Sequence, residues 1–323
     1  MKMAILGTGG IASVMADTIS RMDSVECWAV GSRSLEKAQA FAEKYGFQRA
    51  YGSYEELAED GETELVYIAT PHSEHFENAM LCIRNRKPVL CEKAFTANAG
   101  QARELLAYAE QEGVFITEAM WVRYMPMLET IRRELADGVI GEPTMLTANL
   151  GYLIDQVPRL QRPELAGGAL LDVGVYPLNF ARMLFGGQVA RISSACTLTD
   201  TGVDEQDSIT LFYEDGRVAQ LAASMKGLSD RRGTVYGTKG FLVIENINNF
   251  ESMTVYDTGR RVVKHLERPG QISGYEYEVE ACIRAISEGK LECEEMPHEE
   301  TIQVMELMDG LRREWGVTFP FEK

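Results

Sequence analysis

Lys2-Met3-Ala4-Ile5-Leu6-Gly7-Thr8-Gly9-Gly10-Ile11-Ala12 is the stretch that decides the fold. A short apolar run, Met3–Leu6, enters a glycine-rich turn, and an apolar-periodic stretch, Ile11–Met22, leaves it. The turn has the spacing G-x-G-x-x-G/A. Gly7 permits a tight turn, Gly9 lets the main chain approach a pyrophosphate, and Ala12 is small enough for the helix to pack on the strand. Thr8, Gly10 and Ile11 complete the loop at a helix N-terminus, where amide hydrogens and the helix dipole favour phosphate. A glycine hexamer alone also makes an ordinary tight turn. The strand before this one and the helix after it favour a dinucleotide site.

Working outward, the same strand–helix rhythm continues. Apolar runs at Val25–Val30, Leu65–Thr70, Val89–Cys91 and Val114–Thr117 alternate with helix-like stretches at Ser34–Tyr45, Ser73–Arg84 and Asn98–Glu112. Continuous apolar strands between amphipathic helices predict a parallel sheet covered on both faces. After Tyr124 the rhythm changes. A helix at Met127–Ala136 and a strand at Thr144–Leu150 precede an irregular excursion, Tyr152–Gly168, and then a helix at Asp172–Phe185. From Val189 to Leu266 strand follows strand across Asp-Gly, Lys-Gly and Asp-Thr-Gly turns, which predicts an antiparallel sheet. Helices at Tyr275–Glu288 and His298–Trp315 close the chain. The fold class expected is α/β: an N-terminal Rossmann dinucleotide-binding domain over residues 1–120, then an α+β domain with a large open sheet over 121–323, for substrate binding and oligomerisation.

Length and composition agree. A chain of 323 residues corresponds to about two domains. Its 45% hydrophobic and 25% charged residues are ordinary globular usage. The net charge of −17 argues against nucleic-acid and anionic-membrane partners. Six cysteines without regular spacing read as reduced, mostly buried thiols. No signal peptide or transmembrane run is visible, and a soluble cytoplasmic protein is expected.

Several residues at the ends of expected strands carry chemistry. Ser32 and Arg33 stand where an NAD site usually places an acid for the ribose 2′-hydroxyl. A hydroxyl and a guanidinium suit a 2′-phosphate instead, so NADP(H) is preferred, with NAD(H) as the alternative. Arg33 could also be a solvated residue at a helix start. The segment Thr70-Pro71-His72, with His75 one turn on, follows another strand where such a fold opens its crevice, and is grouped with the cofactor side. The two histidines have no accompanying ligand set, so no metal is expected, and turn or capping roles suit them. Glu92 and Lys93 also end a strand and are likewise grouped with the cofactor side. Lys93 could donate to a substrate hydroxyl or orient a nicotinamide; an isolated Lys is more often a surface charge. Asp172 and Tyr176 are four apart and would share one helix face as a proton-transfer pair, or serve as N-cap and packed aromatic.

The glycine-rich turn, Glu92-Lys93 and the segment GGALLDVGVYPL at 167–178 together resemble the glucose–fructose oxidoreductase/inositol dehydrogenase superfamily. Glu118-Ala-Met-Trp-Val-Arg-Tyr-Met-Pro126 and Arg159-Leu-Gln-Arg-Pro-Glu-Leu-Ala-Gly-Gly168 are similar to its branch of dimeric dihydrodiol dehydrogenases and NADP-dependent xylose dehydrogenases. The resemblance runs through the whole chain in order. It implies that Lys93, Asp172 and Tyr176 flank the reacting carbon, with Tyr176 as acid/base. It also implies that Trp121 and Arg123 line the nicotinamide and substrate region. Tyr152 is expected to wall the pocket and Arg159 to reach substrate, so that Arg33, Lys93, Arg123 and Arg159 gather around a polyanionic cofactor. One position departs: the family reads Glu-Lys-Pro, and here Ala94 follows Lys93, leaving the backbone there freer.

The activity so implied is hydride transfer between NADP(H) and a secondary alcohol or carbonyl of a sugar, polyol or cyclic diol, in a homodimer or homotetramer. A redox-assisted cleavage of a sugar bond with bound cofactor, and a non-catalytic dinucleotide sensor, are the other two readings of the same sequence.

Overall fold

The computed structural model describes residues 1–322, which fall into two compact units. The first comprises Met1–Tyr124 and Gln271–Met305, the second Met125–Gly270 and the described residues from Glu306 onward. The contiguous division expected at 120/121 is therefore corrected. The chain crosses between the units more than once, and residues 271–305 fold with the N-terminal part.

In the first unit the strands are β1 (Lys2–Leu6), β2 (Glu26–Gly31), β3 (Arg49–Tyr51), β4 (Leu65–Ile68), β5 (Val89–Glu92) and β6 (Ile116–Ala119). The intervening helices are α1 (Gly10–Ile19), α2 (Leu35–Tyr45), α3 (Tyr54–Ala58), α4 (His72–Arg84) and α5 (Ala99–Glu112). The strand order is β3-β2-β1-β4-β5-β6, and every neighbouring pair is parallel. The order reverses between β1 and β4, and ligands of such sheets bind outside the strand ends at that point. The central strands β1, β4 and β5 are buried almost throughout, as strands covered on both faces must be. Side chains start three of the helices: Ser34 accepts from Lys37 N, Ser53 from Glu56 N and Asn98 from Gln101 N. β3 was not foreseen; only three residues long and half-buried, it shows no run of apolar residues.

The second unit contains α6 (Pro126–Ala136), β7 (Pro143–Gly151), α7 (Val175–Phe185), β8 (Val189–Leu198), β9 (Asp204–Tyr213), β10 (Val218–Ser224), β11 (Gly233–Gly237), β12 (Gly240–Glu245), β13 (Ser252–Asp257) and β14 (Val262–Glu267). Among the described residues these strands form one sheet, ordered β14-β13-β12-β11-β7-β10-β9-β8. All neighbours are antiparallel except β7 and β10, so the sheet is mixed rather than purely antiparallel. That one parallel pair joins strands far apart in sequence, which turn signals between adjacent strands do not report. β10 alternates buried and exposed residues, with Ala219, Leu221 and Ala223 on the core side. The remaining helices are α8 (Glu276–Ser287), in the first unit, and α9 (His298–Trp315), which runs from the first unit into the second. The six cysteines are free thiols, four of them buried. No helix among the described residues is long and apolar enough to cross a membrane.

Candidate active-site residues

The glycine-rich turn lies at the reversal of strand order. Gly7 has φ +115°, and a Cβ there would lie 2.8 Å from the Ala69 carbonyl oxygen, so a side chain would collide with the end of β4. At Gly9 and Gly10 a Cβ would meet nothing within 4 Å: the main chain is open where a pyrophosphate must approach. Gly9 precedes α1 in extended conformation, no side chain caps the helix, and its first turn carries no acid. Its amide end is thus uncompensated, and Ala12 is fully buried against the sheet. These features fit a dinucleotide phosphate.

β2 is followed by Ser32, which is buried, and Arg33, which is exposed. Ser34 N donates to Ser32 Oγ at 3.4 Å. Tyr54, at the start of α3, stands beside Arg33; burial raises its phenol pKa and the guanidinium opposes that shift. Tyr54 had no motif to announce it.

The loop after β4 is tied to the loop after β5. Pro71 precedes α4 in extended conformation and His72 opens the helix. His75 is 0% exposed, with Nδ1 2.9 Å from the Ala94 carbonyl oxygen and Nε2 2.9 Å from that of Thr70. Burial lowers its pKa, against the pull of these carbonyls. Asn78 Nδ2 donates to Thr70 Oγ1 at 3.1 Å. Both ring nitrogens of His75 therefore address main chain, the turn role the sequence allowed, and any part it plays toward a cofactor is indirect. Ala94, in the place of the family proline, is fully buried and held through its carbonyl.

Glu92, expected on the cofactor side, is the buried last residue of β5. Its Oε1 accepts a short hydrogen bond from Tyr67 OH, and its Oε2 accepts from Lys93 N at 3.1 Å. The second bond ties it to the main chain of the turn bearing Lys93. Close by, Glu278 of α8 is fully buried, neither carboxyl oxygen has a partner among the described residues, and burial together with the Glu92 charge drives its pKa well upward.

Trp121 and Arg123 lie in a single 3₁₀ turn, Trp121–Tyr124. Trp121 stacks on Tyr275, ring centroids 4.2 Å apart and planes within 5°. Arg123 is buried, and its Nη2 donates to Glu300 Oε1 at 2.6 Å. Arg123 was expected among the cations around a cofactor; its charge is paired with Glu300. Glu118 accepts from Thr301 Oγ1 at 3.0 Å, and burial pushes its pKa up to about 7. Tyr275, Glu300 and Thr301 were invisible in the sequence, because their partners lie more than 150 residues upstream.

In the second unit, Gly168–Tyr176 is not one regular helix. Leu170–Gly174 form a π-helical turn, and α7 follows. Asp172 lies inside the π turn and is not an N-cap; Tyr176 is the second residue of α7. The shared-face argument assumed 3.6 residues per turn, whereas the first of the pair sits in a wider turn. Both are 6% exposed. Arg159, in the 3₁₀ turn Pro158–Gln161, donates from Nη2 to Asp172 Oδ1 at 2.8 Å. Arg159 was expected to reach substrate; its charge is balanced by Asp172, which it orients. Tyr152 donates to Asn248 Oδ1 at 3.3 Å, so its phenol is held by the segment between β12 and β13.

Comparison with known proteins agrees with this architecture. Residues 1–120 match the oxidoreductase family with an NAD-binding Rossmann fold, and residues 128–243 match the GFO/IDH/MocA C-terminal domain. The chain is 34% identical to the trans-1,2-dihydrobenzene-1,2-diol dehydrogenase of Mus musculus, over 100% of this chain and 99% of that protein. With the enzyme of the same name from Xenopus tropicalis it shares 34% identity over 99% of each. Among solved structures, a 3-ketoreductase from Actinomadura kijaniata in complex with NADP and TDP-benzene superposes with a TM-score of 0.88, at 23% identity over 97% of each chain. An aldose-aldose oxidoreductase from Caulobacter crescentus superposes at 0.87, with 20% identity over 97% of this chain and 96% of that one. A profile match to both domain types and 34% identity across the full length give one conclusion: the chain belongs to the GFO/IDH/MocA family of oxidoreductases, with an NAD-binding Rossmann domain.

Proposed function

We propose that this protein is an NADP(H)-dependent dehydrogenase or reductase of the dihydrodiol dehydrogenase-like branch, acting on a secondary alcohol or its carbonyl in a sugar, polyol or cyclic diol. The observation that carries the reading is the full-length 34% identity to trans-1,2-dihydrobenzene-1,2-diol dehydrogenase in a chain whose sequence carries Lys93, Asp172 and Tyr176 at the positions the resemblance assigns to the chemistry. The open main chain at Gly9 and Gly10, with Ser32 and Arg33 in place of an acid, supports NADP(H) as the dinucleotide. When bound, the nicotinamide supplies the hydride acceptor or donor. Gly7–Ala12 hold the pyrophosphate through amide hydrogens, and Arg33 and Ser32 hold the 2′-phosphate. Tyr176 moves the substrate hydroxyl proton at its phenolic oxygen. Lys93 shares that proton or steadies the hydroxyl with its ammonium group, while Glu92 and His75 fix the loop it stands on. Asp172, oriented by Arg159, sets the polarity around Tyr176. Trp121, braced by Tyr275, offers an apolar wall. A cytoplasmic homodimer or homotetramer is part of the same reading.

The test is a fluorescence titration with NADPH and NADH, followed by a panel of aldoses, polyols, cyclic diols and diketones read at the nicotinamide absorbance. NADPH binds at least tenfold tighter than NADH, and at least one panel member turns over. Tighter NADH binding would overturn the reading of Ser32 and Arg33. Tight NADPH binding without turnover across the whole panel would overturn the enzymatic assignment.

A further inference from the structure

The π turn Leu170–Gly174 receives no side-chain cap from its own residues, although its first amides are buried. It is met instead by Asp204, the first residue of β9. Asp204 Oδ2 accepts from Leu170 N at 2.5 Å, and its carboxylate also takes the Ala169 amide. The approach leaves no slack: Gly168 has φ +112°, and a Cβ there would lie 2.4 Å from Asp204 Oδ1. Three residues along β9 stands Asp207, 4% exposed, with neither carboxyl oxygen partnered among the described residues. A Cβ on Gly174, the last residue of the turn, would lie 3.3 Å from its Oδ2. A regular strand turns residues i and i+3 to opposite faces. Here the β8–β9 register slips, Thr197 pairing with Gln206 and Leu198 with Asp204, so that Glu205 is extra and both aspartates face the core.

We propose that Asp204 and Asp207 are positioning residues for the reaction, Asp204 anchoring the amide start of the π turn and Asp207 seating its end at Gly174, so that together they place Asp172 and Tyr176. The inference rests on the reading that Asp172 and Tyr176 serve the chemistry. The charged and titratable groups facing the pair are Arg312 of α9, which favours the anion at Asp204, and Cys196, directly opposite Asp207 on β8. Burial raises both carboxyl pKa values, that of Asp204 to about 6, and the amides of Ala169 and Leu170 oppose the rise there. The amides of Ala169 and Leu170 favour the anion at Asp204, the charge a helix amide end prefers, whereas at Asp207 burial and the Asp204 charge disfavour it.

The experiment compares the wild-type chain with Asp204→Ala, Asp204→Asn and Asp207→Leu, all full length. Amide hydrogen exchange is followed over residues 168–180, and turnover is followed with NADPH on whichever panel carbonyl the wild type reduces. Expected for Asp204→Ala and Asp207→Leu is at least tenfold faster exchange confined to 168–180. In turnover, kcat falls by about 10² at unchanged KM for NADPH, as small misplacement of a catalytic group produces. Asp204→Asn keeps a carbonyl oxygen for Leu170 N and restores both readouts to within about threefold. If Asp204→Ala does not fold, Asp204→Ser, too short to reach Leu170 N, takes its place. Unchanged exchange in a folded Asp204→Ala or Asp204→Ser overturns the anchor whether or not the wild type turns over. Faster exchange with unchanged kcat instead refutes the roles given to Asp172 and Tyr176 and leaves the anchor standing.

Discussion

At the scale of single residues, burial decides which charges are present and which are spent. Lys93 and Tyr176 are assigned to the proton, so Lys93→Met and Tyr176→Phe each lower kcat by about 10²–10⁴ while NADPH affinity stays within a few-fold. Steady-state turnover and fluorescence titration check this; near-native turnover in either variant removes that residue from the mechanism. Glu118 shows the cost of a buried carboxyl. Its folded-state pKa of about 7 exceeds the ordinary 4.5 because burial disfavours the anion. A raised carboxyl pKa means the native state holds the proton more tightly than the unfolded chain. The protonated form's stability is therefore fully present below pH 4.5 and is lost as pH rises to about 7. Glu118→Gln, which keeps an oxygen for Thr301, escapes this loss. At pH 8 it is more stable than wild type by on the order of 3 kcal/mol. That advantage vanishes below about pH 4.5, as urea melts at both pH values will show. Equal stability at pH 8 would refute it. Lys93, Asp172 and Tyr176 were legible only because they sit in motifs. Tyr275, which stacks on Trp121, Glu300, which pairs with Arg123, and Asp204, which accepts from Leu170 N, were not, because nothing local marks a residue whose partner is remote in sequence.

At the scale of elements, the parallel strands of the first unit were readable because burial on both faces demands continuous apolar runs. The boundary of α1 was readable because Gly7, at φ +115°, stands in a turn with no room for a side chain. The same helix yields a prediction with two signs. Gly10 is its first residue and a Cβ there meets nothing within 4 Å, so Gly10→Asp introduces an anion beside the amide end without steric conflict. An acid at a helix N-terminus stabilises by about 0.3–1 kcal/mol. The variant accordingly melts at or slightly above the wild-type temperature, yet its NADPH affinity falls at least tenfold because carboxylate and phosphate compete for the same amides. Thermal melts alongside NADPH titration decide; undiminished affinity would place the phosphates elsewhere. The π turn before α7 could not be read, since a five-residue change in helical pitch leaves no mark on apolar periodicity. It is the residues packed against it, Asp204 and Asp207 among them, that allow it.

At the scale of the whole molecule, the two-unit organisation matters more than the order of domains along the chain. Residues 271–305 supply the first unit with the stacking partner of Trp121, the ion-pair partner of Arg123 and the hydroxyl on Glu118, and Leu291 O accepts from Ile116 N at 3.0 Å beside the last strand. A fragment of residues 1–124 therefore loses buried polar partners along with apolar cover, and melts broadly by circular dichroism where the full chain melts cooperatively. A cooperative melt of the fragment would show those contacts to be dispensable. NADPH at about 100 times its Kd stabilises the full chain by about 2.7 kcal/mol, with a smaller effect from NADH at the same concentration. Equal thermal shifts from the two would contradict the preference assigned to Ser32 and Arg33. The net charge of −17 and the phosphate site coexist because charge averaged over a surface does not set the field at one helix end. By itself the sequence determined the parallel α/β unit, the glycine turn and the positions of the motif residues, because local sterics and burial periodicity are written in adjacent residues. Only the tertiary structure decided that the β7–β10 pair is parallel, that residues 271–305 return to the first unit, and that Arg123 and Arg159 are paired with Glu300 and Asp172. Those outcomes depend on which distant segments desolvate one another, and that is settled by packing.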